Sequence, residues 1–209
     1  MRVTAATKSE TRKQILECAR RLFEDKGFEK ATVRDMTSAA DIALGTLFNY
    51  FASKEAVALA IISETLETAE REFHEQPRSK ASLEELLFAH VAIGLRHLRA
   101  CRRYVVTVFE STLSPLSGGE GCLEANDLRL RHLETVRCLL ARGDRRAGTE
   151  PSIVTLHLYW TLYLGVLAFW AQDDSAHHED TLALLDQSIR LFVATLTMNG
   201  ANAETHHGT

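Results

Sequence analysis

Residues 32–55, TVRDMTSAADIALGTLFNYFASKE, decide the fold. Thr32-Val33-Arg34-Asp35 has the form of a capping box with the shorter acid, and it opens a short helix through about Ala40. The pattern breaks at Asp41. A second short helix, about Leu44 to Tyr50, follows within four residues, and Ser53 caps a long one running to about Glu75. Upstream, SETRKQILECARRLFEDKGF from Ser9 places Ile15, Ala19, Leu22 and Phe23 on one stripe, with Ser9 as cap and Gly27 as terminator. Two short helices joined by a tight turn and braced on each side make a helix-turn-helix.

The rest of the 209-residue chain supports an all-α fold. Three prolines and 11 glycines leave too few turn signals for a chain of many short strands. After the polar break at 76–80, helical periodicity covers about 82–100, 101–113, 122–141, 151–172 and 178–198. The turn-rich stretches 113–121 and 142–151 separate them. This pattern divides the chain into a three-helix, helix-turn-helix domain at 1–54, a longer helical domain at 55–198, and a polar, disordered tail at 199–209.

Composition narrows the function. With 45% hydrophobic and 25% charged residues the chain has the balance of a soluble globular protein. Its unbroken apolar runs fall short of the roughly 18 residues of a membrane span, and MRVTAATKSETRKQ has no apolar signal core, so the expected location is cytoplasmic, with no membrane partner. Cysteines at 18, 101, 122 and 138 show no C-x-x-C pairing and read as reduced thiols. The net charge of −4 hides an asymmetry: residues 1–54 carry ten Lys/Arg against seven acids, the remainder 14 against 21. The basic end suits a polyanion.

Thr32-Val33-Arg34-Asp35-Met36, Ala39-Ala40-Asp41-Ile42 and Gly45-Thr46-Leu47-Phe48-Asn49-Tyr50-Phe51-Ala52-Ser53-Lys54-Glu55 together resemble the DNA-binding domain of the TetR (tetracycline-repressor) family. The resemblance covers about Thr11 to Val57 and is only architectural beyond residue 60. It implies a homodimeric, ligand-responsive transcriptional regulator, most often a repressor, on a near-palindromic double-stranded operator, with 1–54 as its DNA-binding domain and 55–198 as its effector-binding and dimerisation domain. Arg34 is the first choice for a base reader, long enough for a two-pronged bond to guanine. Gly45 and Thr46 let the backbone approach phosphate, and Asn49 can read adenine or bind phosphate. By resemblance Tyr50 and Lys54 hold the DNA backbone. Phe48 stands where the family commonly has tyrosine and lacks the hydroxyl, so any contact it makes is apolar. Leu47 and Phe51 read as core.

Three positions depart from the family pattern. Asp41 replaces a turn glycine, yet tolerates left-handed backbone better than most residues. Ala43 and Leu44 replace a polar pair, removing a helix cap; Leu44 can instead meet a thymine methyl.

The last two helical stretches are apolar nearly all round. In 151–172, Ile153, Leu156, Trp160, Tyr163, Leu167 and Trp170 share a stripe, with Val154, Leu158, Leu162, Val166 and Phe169 opposite. In 178–198, Leu182, Leu185, Ile189, Phe192 and Leu196 oppose Leu184, Leu191 and Met198. One face of each suits the subunit's own core and the other a two-fold partner, giving a four-helix dimer seam expected to run past Leu185 and Phe192. Gly165 permits close approach there. Between the two ends, His97, Tyr104, Phe109 and Trp160 are the candidates for holding a small, mostly apolar effector. His90, His97 and His132 show no metal spacing, His177-His178-Glu179-Asp180 reads as a helix start, and no nucleophile, metal or phosphate-loop motif appears. No metal, cofactor or catalytic residue is expected. The competing reading is a dimeric helical binding or scaffold protein with weak or lost DNA recognition.

Overall fold

The computed structural model describes residues 5–112, 123–143 and 151–205. Their backbone forms helices α1 (Ala5–Asp25), α2 (Val33–Ala39), α3 (Leu44–Phe48), α4 (Lys54–Glu75), α5 (Leu83–His97), α6 (Arg102–Thr112), α7 (Leu123–Gly143), α8 (Ile153–Gln172) and α9 (Glu179–Thr205). Single 3-10 turns at Leu98–Cys101 and Ala176–His178 precede α6 and α9. No strand occurs among the described residues. Residues 113–122, with Cys122, and 144–150 lie outside them.

Two expected boundaries differ. Helix α1 starts at Ala5, so Ser9 lies inside it and is not its cap. Ala5, Ala6 and Lys8 are good helix formers, and nothing before Ser9 stops propagation. Helix α9 continues to Thr205, so the tail expected to be disordered from 199 is helical to that point, with 206–209 outside the described residues.

The chain forms two compact units, residues 1–67 with 98–129 and residues 68–97 with 130–209. They do not follow the 54/55 boundary: the first half of α4, α6 and the start of α7 join the N-terminal helices. The reason is packing. In the first unit Ile15, Leu16, Ala19 and Phe23 of α1 are buried with Met36, Leu47, Phe51 and the run Ala56–Ile62 of α4. Tyr104 of α6 meets Phe23 edge-on at 5.2 Å and stacks on Phe28 at 5.4 Å. Polar ties reinforce this core: Glu64 accepts from Arg12 at 2.9 Å and Arg20 at 2.6 Å, which fastens α1 to α4.

The second unit packs α5, α8 and α9 against one another. Ser82 and Glu85 form a reciprocal cap before α5, and Ser152 accepts from the Thr155 amide to start α8. At the α8–α9 corner, His177 and His178 take left-handed backbone, φ 53° and 58°. The corner is held by Asp173, whose carboxylate accepts from the amides of Ser175 and Thr181 at 2.8 and 2.9 Å. Those bonds hold its carboxyl well below the usual range.

The predicted faces of α8 and α9 need correction. Leu185, Ile189 and Phe192 are buried in the unit's own core, so Leu185 and Phe192 are not seam residues. On α8 the inner stripe is Tyr159, Trp160, Tyr163, Val166, Leu167 and Trp170, while Ile153, grouped with it by periodicity, is 84% exposed. Val154, Leu158 and Phe169 remain exposed on the other side, and a Cβ added at Gly165 would meet nothing within 4 Å. By length and composition α8 is also sufficient to cross a membrane, which the count of unbroken apolar runs did not anticipate. Thr155, His157 and Thr161 interrupt those runs without lowering the average enough.

Candidate nucleic-acid interface

Helix α2 is shaped by side chains at both ends. Thr32 accepts from the Asp35 amide at 3.1 Å while the Asp35 carboxylate accepts from the Thr32 amide at 2.8 Å, the expected capping box. Lys26 also donates to Asp35, at 2.7 Å, and these bonds, Lys26 foremost, lower the Asp35 pKa to about 2. At the other end Asp41 adopts φ 50°, its amide bonds to Ser38 O at 3.4 Å, and the Ile42 amide reaches back to Thr37 O at 3.0 Å. This is a Schellman termination with aspartate in the glycine position. From α1, Gln14 donates to Ala40 O at 2.9 Å and the Cys18 thiol to Ala39 O at 3.3 Å, which fixes where the turn begins.

Helix α3 then starts at Ala43 with no side-chain cap. Leu47 is fully buried and anchors it. The other side is open: Leu44 is 43% and Phe48 49% exposed, with Gly45 and Asn49 also exposed and Thr46 and Tyr50 half-buried. Arg34 projects from α2 as an exposed residue. Nothing lies within 4 Å of a Cβ added at Gly45, so packing inside the protein does not require glycine there. Lys54 begins α4, where Ser53 accepts from the Ala56 amide at 3.2 Å. Its ammonium is already engaged: it donates to Phe28 O at 2.8 Å and sits 4.2 Å from the Phe28 ring centroid. The expected DNA-facing residues thus gather on α2, α3 and the start of α4, with Lys54 also tying α4 to the turn that follows α1.

The four expected effector residues are divided between the two units. Tyr104 and Phe109 are core residues of the first unit, where the Tyr104 hydroxyl donates to the Cys101 thiol at 3.2 Å. His97 and Trp160 belong to the second unit. His97 Nε2 lies 2.8 Å from Glu72, a carboxylate that also accepts from Arg96 and is held below its ordinary pKa by these bonds. Trp160 instead joins a group that periodicity alone did not assemble. His132 lies 5.0 Å from His90, 4.3 Å from Tyr163 and 5.7 Å from Trp160, centroid to centroid. It shares a 3.2 Å hydrogen bond with the Tyr159 hydroxyl. Burial lowers the His90 pKa to about 4 and pushes that of His132 well below the ordinary value, so both imidazoles are neutral at pH 7. Burial likewise raises Tyr159 and Tyr163. His90 Nε2 is buried with no hydrogen-bond partner among the described residues. The group is aromatic, uncharged and rich in hydrogen-bonding atoms. A hint was present in the sequence: three of its members, Tyr159, Trp160 and Tyr163, fall within five residues of α8.

Residues 15–61 match the sequence profile of bacterial regulatory proteins of the tetR family, and residues 87–205, more than half of the chain, match the tetracyclin repressor-like C-terminal domain. Among curated proteins, the A-factor receptor protein of Streptomyces griseus is 37% identical over 68 residues, 32% of this chain and 25% of that protein. The regulator UidR of Escherichia coli is 40% identical over 65 residues, 31% of this chain and 33% of its own length. These matches therefore span only a quarter to a third of those relatives. The fold is similar to that of Thermus thermophilus FadR in complex with lauroyl-CoA, with TM-score 0.68, 21% identity and coverage of 87% and 93% of the two chains. Bacillus subtilis FadR in complex with stearoyl-CoA gives TM-score 0.62, 18% identity and coverage of 87% and 97%.

Proposed function

We infer the function from one premise: this chain belongs to the TetR family of transcriptional regulators. It is a regulator and not an enzyme. On that premise it acts in the cytoplasm as a homodimeric repressor of a near-palindromic operator and is released by a small effector. The observation that carries the DNA reading is the open face of α2 and α3, where Arg34, Gly45 and Asn49 are exposed around a buried Leu47 anchor. Arg34 reads a base edge, Asn49 a base or phosphate, and Tyr50 holds the backbone beside Gly45 and Thr46. Lys54 contacts phosphate with the donors that Phe28 leaves free.

Two recognition helices reach successive major grooves only if two copies pair. The exposed stripe of α8 supports that pairing: Val154, Leu158, Gly165 and Phe169 recur at helical spacing, with Leu191 exposed on α9. An apolar stripe with a glycine in its middle suits close two-fold packing of helices. The effector reading rests on the uncharged aromatic group around His132. It suits a largely apolar ligand part with one or two hydrogen-bonding atoms, which adds His90, His132, Tyr159 and Tyr163 to Trp160 among the candidate contacts. Because the two FadR proteins were solved with acyl-CoA, lauroyl-CoA and stearoyl-CoA, whose acyl chains are the apolar part that such a group suits, are the first effectors to try.

The test is an anisotropy titration with duplex DNA from upstream of the chain's own gene. Arg34→Ala should relax preference at one operator position by about 1–3 kcal/mol. Equal loss on operator and random duplex would remove Arg34 as the base reader.

A further inference from the structure

We propose that Leu44 and Phe48 read thymine methyl groups, so that the operator is recognised in part by an apolar strip on α3. The inference rests on the DNA-binding reading above and names a specificity that the reading does not supply. Leu44 and Phe48 are four residues apart, hence on one side of the helix, and are 43% and 49% exposed. Leu47, between them, is fully buried, so the helix is already anchored without them. In the free protein these two large apolar side chains leave about half of their surface in water.

The occupant follows from the surroundings. Arg34 is exposed on the preceding helix and Asn49 follows Phe48, so the strip is bordered by a cation and a carboxamide, groups that bond guanine and adenine edges. The thymine C5-methyl is the apolar feature that a major groove offers to such a strip. A protein partner fits poorly, since a specific interface buries about 800 Å² on each side and two side chains supply a small part of that. Gly45 lies between Leu44 and Phe48 on the exposed side and leaves open space, so the strip can sit close against base edges. Phe48, which has no hydroxyl to offer a phosphate, gains a role by this arrangement.

The experiment begins with selection of a preferred duplex from a randomised pool by the full chain. Each deoxythymidine in that duplex is then replaced by deoxyuridine, which removes the methyl and nothing else. Affinity should fall about fourfold for each methyl that is read, the transfer cost of one methyl-sized group, and about fifteenfold when both half-sites are changed. Leu44→Ala should abolish the difference between thymine and uracil at one position and Phe48→Ala at another, with melting temperatures unchanged because both side chains are exposed. Uracil duplexes that bind as tightly as thymine duplexes at every position would overturn the inference while leaving DNA binding intact. A penalty that persists undiminished in both variants would overturn it too. If the pool yields no preferred duplex, sequence-specific DNA recognition fails and this inference fails with it.

Discussion

Helices α3 and α8 both expose large apolar side chains, and their settings separate the reasons. On α3 the exposed pair occupies one helical turn beside Arg34, Gly45 and Asn49. On α8 the exposed residues run from Val154 to Phe169, over four turns, with Thr161 and Gly165 between them and no Lys, Arg, Asp or Glu in the helix. An apolar patch bordered by a cation and an amide suits a charged, groove-shaped partner. A long uncharged stripe suits its own copy. Exposure alone does not identify a partner; the polar border does.

The sharpest way to break this contrast is to charge the α8 stripe. Leu158→Glu combined with Phe169→Glu should leave a folded monomer, since neither side chain is needed inside the unit, and should lower operator affinity about a hundredfold or more through loss of two-site binding. Sedimentation reads the outcome, and an intact dimer would place the seam elsewhere. Phe192→Glu provides the contrast: the buried ring lies 5.6 Å from Tyr159, so a charge there should unfold the chain by about 4 kcal/mol or more.

The inner side of α8 gives the next effect. His90 and His132 are neutral in the folded protein, with burial lowering His90 to about 4 and His132 well below its ordinary value, against an ordinary 6.5 in the unfolded chain. The unfolded state therefore takes up more protons as the pH falls below 6.5. Stability from this source is complete above that pH and should decline by about 2 kcal/mol for His90 alone between pH 7 and 5. The lowered carboxyls of Asp35 and Glu72 weaken the fold only below about pH 4.5, so denaturant midpoints at pH 5–6.5 isolate the histidines. His90→Gln should reduce the slope and leave the part due to His132, and an unchanged slope would show that His90 is protonated without cost.

The smallest effect concerns α3 itself. Ala43 caps nothing, so Ala43→Ser should supply a hydroxyl to the first free amides and stabilise the recognition helix by about 0.5–1 kcal/mol, visible as slower hydrogen exchange at Leu47. No change would mean that packing of Leu47 alone decides whether α3 forms.

What the sequence made legible was local. Thr32 and Asp35 sit three apart, and Asp41 is one of few residue types suited to positive φ, so the α2 box and its left-handed exit were both readable from short-range chemistry. The cap at Ser9 failed for the opposite reason: a good cap residue does not stop a helix whose preceding residues also favour it. The long-range errors share one cause. Periodicity shows that Leu185 and Phe192 are buried but not against what, and both face their own unit's core. For the same reason the group around His132 was legible only in its α8 members, because it draws on α5, α7 and α8, three stretches whose register against one another no local pattern encodes.

The fork at Glu64 has a consequence for how this regulator competes for DNA against salt. Of the ten cationic residues in 1–54, Arg12 and Arg20 share that one carboxylate, Lys26 is taken by Asp35, Lys13 lies 4.0 Å from Glu17, and Lys54 is bonded to a carbonyl. A cation that must leave a carboxylate to meet a phosphate neutralises less of the polyanion than its formal charge implies. Fewer condensed counterions are then released per protein bound, and log affinity falls less steeply with log salt than a count of ten charges would require. Four of the ten cations thus stand beside a carboxylate, so association with arbitrary DNA should depend on salt less steeply than the charge count implies, and the base-reading face should carry more of the discrimination.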